Sequence, residues 1–435
     1  MFKMKYSGVE WIGSIPENWN IDKLKYCTNE ISSGGTPESS NLDYYDDING
    51  IPWVAIGDMS TKEYISNTSK KLTLEGIKSK NLKIYPSGTL LYSIFATIGK
   101  TSFLQTAATI NQAILAIIPN KKIDKLYLKY QLNAMEEYVL SECSTNTQNN
   151  LNSTKVKNFN LVLPELMEQK LIANFLDEKV SNLDNILIDL RKQIEILNDY
   201  RKSLITECIT KGLDKNIKFK ESRVGKIPLS WETKPIKYIC NIQPKVCYKN
   251  IREDDFVTFL PMDHIKKGYF INNQAKLYDN DNSYTSFEEG DIIMAKVTPC
   301  FENGNIAITK DLHNGYGFGS SELFVFRAND YVEQKFLFYW LQNDNFVKTA
   351  TSNMTGAAGL KRVPLNFIRN YYISIPKLDE QKEIVDYLDK KCEQIDKIIE
   401  EKQKQIEKIE EYKKSVIYEY VTGKKRVEGA EELYG

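Results

Sequence analysis

The stretch "PELMEQKLIANFLDEKVSNLD", starting at Pro164, returns as "PKLDEQKEIVDYLDKKCEQID", starting at Pro376. A repeat on this scale constrains the fold more than any local pattern, because both copies must obey one plan. Pro164, Glu168, Gln169, Lys170, Leu176 and Asp177 reappear as Pro376, Glu380, Gln381, Lys382, Leu388 and Asp389. The same spacing carries Gly13, Pro16, Trp19 and Tyr26 onto Gly225, Pro228, Trp231 and Tyr238. Each copy is therefore a short G-x-I-P-x-x-W opening, a globular segment and a long helix. The globular interiors match poorly. "WVAIGDMS" aligns with "FLPMDHIK", and "SGTLLYSIFATIGKTSF" with "EGDIIMAKVTPCFENGN", only when gaps are allowed.

The globular segments, residues 13–160 and 225–372, contain apolar runs such as "GTLLYSI", "AILAIIP", "DIIMAKV" and "ELFVFRA", bounded by Gly, Pro and Asn. Such runs predict strands. The stretches "DKLYLKYQLNAMEEYVL" and "EQKFLFYWLQNDNFVKTA" predict helices after the last strands. Each segment is expected to be α+β, with its strand-rich part first.

Beyond Pro164, Leu176, Leu183, Leu190, Leu197 and Leu204 recur every seventh residue, and Val180, Leu187 and Ile194 fill the companion position. The second copy keeps this seam with Leu388, Ile395, Ile409 and Val416, joined by Cys392, Ile399, Ile406 and Tyr420. Heptads sustained over about four repeats predict a coiled coil. Lys402 interrupts the seam, and Arg201 and Lys413 are expected to snorkel at frayed ends. A helix with one apolar stripe needs a partner, and the other copy supplies it. The expected fold is α+β, with two globular domains joined by two long antiparallel coiled-coil helices in a pseudo-two-fold repeat. The alternative is that each helix packs separately on its own domain. The divisions in sequence are 1–163, a first domain; 164–212, a first spacer helix; 213–375, a linker and second domain; 376–423, a second spacer helix; and 424–435, a tail.

The 435 residues carry a formal net charge of +0, so overall charge does not advertise a nucleic-acid partner. Seven scattered cysteines without a CxxC pair, and two distant histidines, His264 and His313, argue against a zinc site or a disulfide framework. This pattern suits a reducing cytoplasm. No signal-peptide core and no membrane-spanning apolar run is expected. "ATIGKTS", around Gly99, Lys100 and Thr101, lacks the glycine a phosphate-binding loop needs, since Ile94 stands there. Glu168-x-Lys170 and Glu380-x-Lys382 imitate the end of a nuclease motif. At helix starts they read instead as charge near the N-terminus with i,i+4 pairing. No methyl-donor turn and no nucleophile–His–acid set emerges, so no catalysis and no metal are expected.

The plan resembles the specificity subunit of type I restriction–modification enzymes. The motifs that carry the resemblance are the G-x-I-P-x-x-W opening and "P-x-L-x-EQ-x-x-I" leading into a long helix, both present twice. "SGGTPESS", "GFGSSELFV" and "QNNLNSTKVKNFNLVLP" add smaller matches. One departure is "AATINQA" in the first domain where the second has "GFGSSE". The resemblance implies that each globular segment reads one half of a split, asymmetric site on double-stranded DNA. The helices would set the unread spacer and dock two methyltransferase subunits, with restriction or translocase subunits as further partners. S-adenosylmethionine, ATP and Mg2+ would then belong to those partners and no cofactor to this chain. Polar side chains on loops are the expected base readers. These are Lys100, Thr101, Asn111 and Gln112 in the first domain, and Asn303, Ser320, Ser321, Lys361 and Arg362 in the second. "KSKNLK" (Lys78–Lys83), "NKKIDKLYLK" (Lys121–Lys129) and "GLKR" are candidate phosphate contacts. A non-DNA coiled-coil scaffold and a self-contained restriction or methylation enzyme are the rival readings.

Overall fold

The computed structural model of the chain describes residues 3–59, 63–145, 151–246, 252, 255–277, 284–357 and 359–429. It divides into two compact units, Met1–Leu190 with Lys404–Gly435, and Arg191–Gln403. The boundary cuts both long helices, so each unit holds part of each helix rather than one whole globular segment with its own helix. Residues 148–150, at the start of the "QNNLN" match, and 430–435 of the tail lie outside the described residues.

In the first unit a five-stranded sheet runs in the order Thr28–Ser33, Ile114–Pro119, Leu90–Ser93, Thr101–Leu104, Tyr64–Ile65. Ile114–Ile117 and Leu90–Ser93 are buried throughout, which accounts for their unbroken apolar runs. A second sheet places Ile51–Val54 between Lys70–Leu72 and Thr109–Ile110, the last pair being parallel. The second unit repeats the first four strands of the larger sheet and all three of the smaller one, to which it adds a fourth strand, Thr285–Glu288. Cys240–Ile242, Leu323–Ala328, Ile292–Ala295 and Ile306–Ile308 form one sheet. The other sheet runs Ala275–Leu277, Phe256–Leu260, Tyr316–Gly319, Thr285–Glu288, and again contains one parallel pair. The two quoted alignments therefore join equivalent strands. The helical stretches each break in two, giving Lys125–Ala134 and Glu136–Thr145, and Gln334–Trp340 and Asp344–Ser352.

The long helices are Leu166–Lys211, 46 residues, and Leu378–Val421, 44 residues. In the first unit the Phe175 and Tyr420 rings lie 4.6 Å apart, and Lys413 donates to Asp184 at 2.5 and 2.8 Å. Partners further along one helix lie earlier on the other, so the pair is antiparallel. In the second unit Arg201 lies 3.7 Å from Asp396, and Lys402 Nζ donates to Gln193 Oε1 at 2.5 Å. The direction is the same. Leu176, Leu183, Leu190, Leu204, Leu388, Ile395, Ile406 and Val416 are buried, while Leu197 and Ile409 are half-buried. Arg201 and Lys413 do not snorkel at frayed ends. They sit inside the helices, each facing an acid across the seam, and the repeat makes the two pairs equivalent.

The shared motif residues form the joint between helix and domain. Trp19 is fully buried and its Nε1–H donates to Glu168 Oε2 at 2.9 Å; Trp231 does the same to Glu380 Oε1 at 2.9 Å. Gln169 accepts from the Asp124 N–H at 2.9 Å and donates to the carbonyls of Lys122 and Pro164, both at 3.0 Å. Gln381 treats Glu333, Tyr331 and Pro376 alike. Tyr130 and Tyr339 donate to Asp177 and Asp389 at 3.0 and 2.6 Å. Charge near a helix N-terminus thus understates Glu168. It is buried, and Arg426 donates to it from Nε at 3.0 Å and Nη2 at 2.5 Å. A buried carboxylate must be paired and hydrogen-bonded, and here the indole and guanidinium do both.

Candidate nucleic-acid interface

In the first unit, the parallel strand Thr109–Ile110 ends in a tight turn. The Asn111 N–H donates to the Val54 carbonyl at 3.0 Å, and Asn111 Oδ1 accepts from the Ala113 N–H at 3.0 Å. That leaves Gln112 exposed at the tip. Thr36 donates its hydroxyl to Gln112 Oε1, which holds the amide in place. The segment bearing Thr36 lies against the turn because Gly34 has no side chain. A Cβ there would stand 1.7 Å from the Ile110 carbonyl oxygen. The Gly35 N–H donates to the same carbonyl at 3.1 Å, and Trp53 Nε1–H donates to the Gly35 carbonyl at 3.1 Å. This packing explains the glycines of "SGGTPESS".

The second unit builds the same turn from different residues. The Ser320 N–H donates to the Leu260 carbonyl at 3.3 Å, and Ser320 Oγ accepts from the Glu322 N–H at 3.2 Å. Ser321 is exposed. By topology and hydrogen bonding, Asn111–Gln112 and Ser320–Ser321 occupy equivalent positions, although their sequences share nothing.

Two further segments join the second turn. The Lys296 N–H donates to the Glu322 carbonyl at 3.0 Å, and the Val363 N–H donates to the Lys296 carbonyl at 2.9 Å. The Thr298 N–H donates to the Lys361 carbonyl at 2.9 Å, and Thr298 Oγ1 accepts from the Lys361 N–H at 3.0 Å. Lys361 and Arg362 belong to an exposed hairpin, Thr355–Ala357 with Leu360–Arg362. Asn303 is exposed later in the loop that follows Lys296. Arg362 forks onto Glu322, with Nε at 2.9 and 3.1 Å and Nη2 at 2.8 Å. The hydrogen bonds from Arg362 hold the Glu322 carboxyl below its ordinary range.

The other candidates are placed differently. Lys100 lies 2.8 Å from Glu136, and Thr101 donates to Asn133 Oδ1 at 2.7 Å. Both sit at the end of a hairpin loop, so "ATIGKTS" does not lead from a strand into a helix as a phosphate loop must. Among the basic runs, Lys83 pairs with Glu30 and Lys122 with Asp22. Lys129 is buried beside Glu63, which removes it from any phosphate surface. Lys78, Lys80 and Lys121 are exposed. Sequence reasoning missed Thr36 and Glu322. Thr36 belongs to "SGGTPESS" and Glu322 to "GFGSSE", stretches that stood out in the sequence, but only the fold shows that they touch Gln112 and Arg362.

Among the described residues, no group of three or more His, Cys, Asp or Glu is placed to hold a metal ion, and no helix is long and apolar enough to cross a membrane. Burial pushes the Cys27 and Cys240 thiols up to about 11 and about 12, which suits packing rather than reactivity.

The family model of the type I restriction modification DNA specificity domain matches the chain twice, over residues 16–197 and 228–409. The chain belongs to the type I restriction–modification specificity family. The putative type I restriction enzyme MjaX specificity subunit of Methanocaldococcus jannaschii is 30% identical, with 96% of each chain covered. The MjaVIII specificity subunit of the same organism is 27% identical over 95% of this chain and 94% of its own. A solved chain from "Structural basis underlying complex assembly and conformational transition of the type I R-M system" shares the fold. Its TM-score is 0.69 at 13% identity, covering 94% of this chain and 98% of that one. Each matched stretch of this specificity subunit opens near its IP-x-x-W motif and ends within a long helix. The family unit is thus the repeat unit.

Proposed function

We propose that each unit reads one half of a bipartite, asymmetric DNA site, and that the helix pair fixes the unread spacer and docks two methyltransferase subunits. The chain itself performs no methyl transfer, ATP hydrolysis or cleavage; those steps belong to its partners, which supply the S-adenosylmethionine, ATP and Mg2+ sites. The observation that carries this reading is one turn, in one position of one topology, built as Asn111–Gln112 in the first unit and Ser320–Ser321 in the second. A frame repeated for stability would have no reason to vary its exposed tips. Two readers of different sequences require it, because each base pair presents its own donor and acceptor pattern in the major groove.

The docking of two partners is supported by exposed apolar residues that recur with the repeat. Ile186 (47% exposed) has its counterpart in Ile398 (42%), and Tyr200 (52%) in Tyr412 (47%). None of the four lies on the seam. In the first unit Lys179, one heptad before Ile186, lies 6.0 Å from the Tyr412 ring. Each unit so carries one Ile and one Tyr, and two equal patches suit two copies of one partner.

The test exchanges residues 28–158 for the corresponding segment of another family member and maps methylated motifs in cells supplying the partner subunits. One half-site should change and the other stay. Change in both, or in neither, refutes the two-reader assignment.

A further inference from the structure

We infer that Arg362 reads a guanine in the half-site of the second unit and that Glu322 is its positioning residue. The inference rests on the reading of this unit as a DNA reader and goes further by naming the base and the device. Arginine carries five N–H donors in a fixed fork. Arg362 uses Nε and Nη2 on the Glu322 carboxylate, at 2.8–3.1 Å. That engagement occupies the side of the guanidinium. Its end, two N–H groups on Nη1 and one on Nη2, stays turned away from the carboxylate. An end-on pair of parallel N–H donors matches the O6 and N7 acceptors of guanine in the major groove.

Exposure and rigidity both favour this use. The Arg362 side chain is 46% exposed and that of Glu322 26%, so the pair is open on one side. Both backbones are bonded to a single segment. Lys296 receives the Val363 N–H and donates its own N–H to Glu322, and Val297 bridges to Arg362. A long side chain otherwise loses rotamer freedom when it binds a base, and a partner that has already fixed its direction removes part of that cost. Lysine could not substitute, since a point charge has neither fork nor side edge. Ala113 stands where Glu322 does in the repeat, so the described residues of the first unit carry no acid at this position.

The experiment maps methylated motifs for the parent chain and variants under identical partner supply, with methylation rates on oligonucleotides varied at each recognised position. The parent should yield a bipartite motif with a guanine in the half-site set by the second unit. Arg362→Ala should relax that position alone. Arg362→Lys should keep overall methylation but lower the preference for guanine roughly 5- to 150-fold, the worth of one bidentate base contact. Glu322→Ala should weaken discrimination at the same position and add nothing in an Arg362→Ala background. An unchanged motif, relaxation at a position that is not guanine, or a Glu322→Ala chain that binds all sequences more tightly would overturn the inference, the last because the pair would then mask Arg362 rather than aim it. A variant that melts like the parent yet loses all methylation would overturn it too. A parent that yields no bipartite motif would instead refute the underlying reading of function.

Discussion

Glu168 and Glu380 are equivalent in sequence and hold equivalent tryptophans, yet their substitution should have unequal cost. Glu168 has a side chain 1% exposed and shares it with an Arg426 side chain only 9% exposed. Glu168→Gln keeps an acceptor for Trp19 but takes the negative charge away from a guanidinium buried beside it. Breaking a buried ion pair from one side costs about 3–5 kcal/mol. Glu380 is half-buried, and among the described residues its hydrogen bond is the one from Trp231. Glu380→Gln keeps that bond at reduced strength, a loss of about 1 kcal/mol. The expected difference is at least about 2 kcal/mol. Urea unfolding followed by far-ultraviolet circular dichroism and tryptophan emission would measure it, each variant being compared with the parent. A double-mutant cycle adds the cause, because Arg426→Met placed on top of Glu168→Gln should recover part of the loss. Equal destabilisation by the two substitutions, or an Arg426→Met change with no coupling to Glu168, would refute the pairing as the source of the asymmetry.

The helix pair and its docking patches give two more expectations. Four residues inserted after Asn198 add about one turn, or about 5.4 Å, against roughly 3.4 Å per base pair. The seam can absorb them as a stutter, so the same half-sites should appear with a spacer longer by at least one base pair; an active variant with an unchanged spacer would show that the helices do not set the distance. Ile186→Asp with Tyr412→Asp should remove one methyltransferase copy from the purified complex, and adding Ile398→Asp and Tyr200→Asp should remove the second. Native mass spectrometry counts the copies, and full occupancy in the fourfold variant would exclude these patches as docking sites.

The repeat made much of the frame legible. A seam of leucines at heptad spacing needs an antiparallel partner when a globular segment separates the two helices, and both units contain that pairing. The α+β character followed from short apolar runs at turn signals. The role of Glu168 was not legible, because a glutamate in a first helical turn is ordinarily a surface charge. Only the fold brings Trp19 and Arg426 to it, from sequence positions far on either side. The same holds for Arg201 and Lys413, whose acids, Asp396 and Asp184, lie on the opposite helix. At the candidate interface the turns were visible as polar residues between strands. Their equivalence was hidden because the register depends on a parallel strand pairing, Ile110 with Val54 and Gly319 with Leu260, that no local pattern announces.

The frame and the exposed turns are separable in energy as well as in space. The frame contacts that recur in both units join Trp to Glu, Gln to backbone, Tyr to Asp, and Lys25 or Lys237 to Asn158 or Asn370. None of them involves Thr36, Asn111, Gln112, Ser320, Ser321, Glu322 or Arg362. Substitution at an exposed turn that touches no such contact ordinarily shifts stability by no more than about 0.5 kcal/mol. A base contact made or lost there is worth about 1–3 kcal/mol in discrimination. A chain built this way can therefore change what its turns would recognise at less cost to folding than the change in recognition itself. Truncating Trp19 would instead cost about 3–5 kcal/mol of core packing. That difference in magnitude is a physical reason for two halves of one chain to share a frame and differ at its tips.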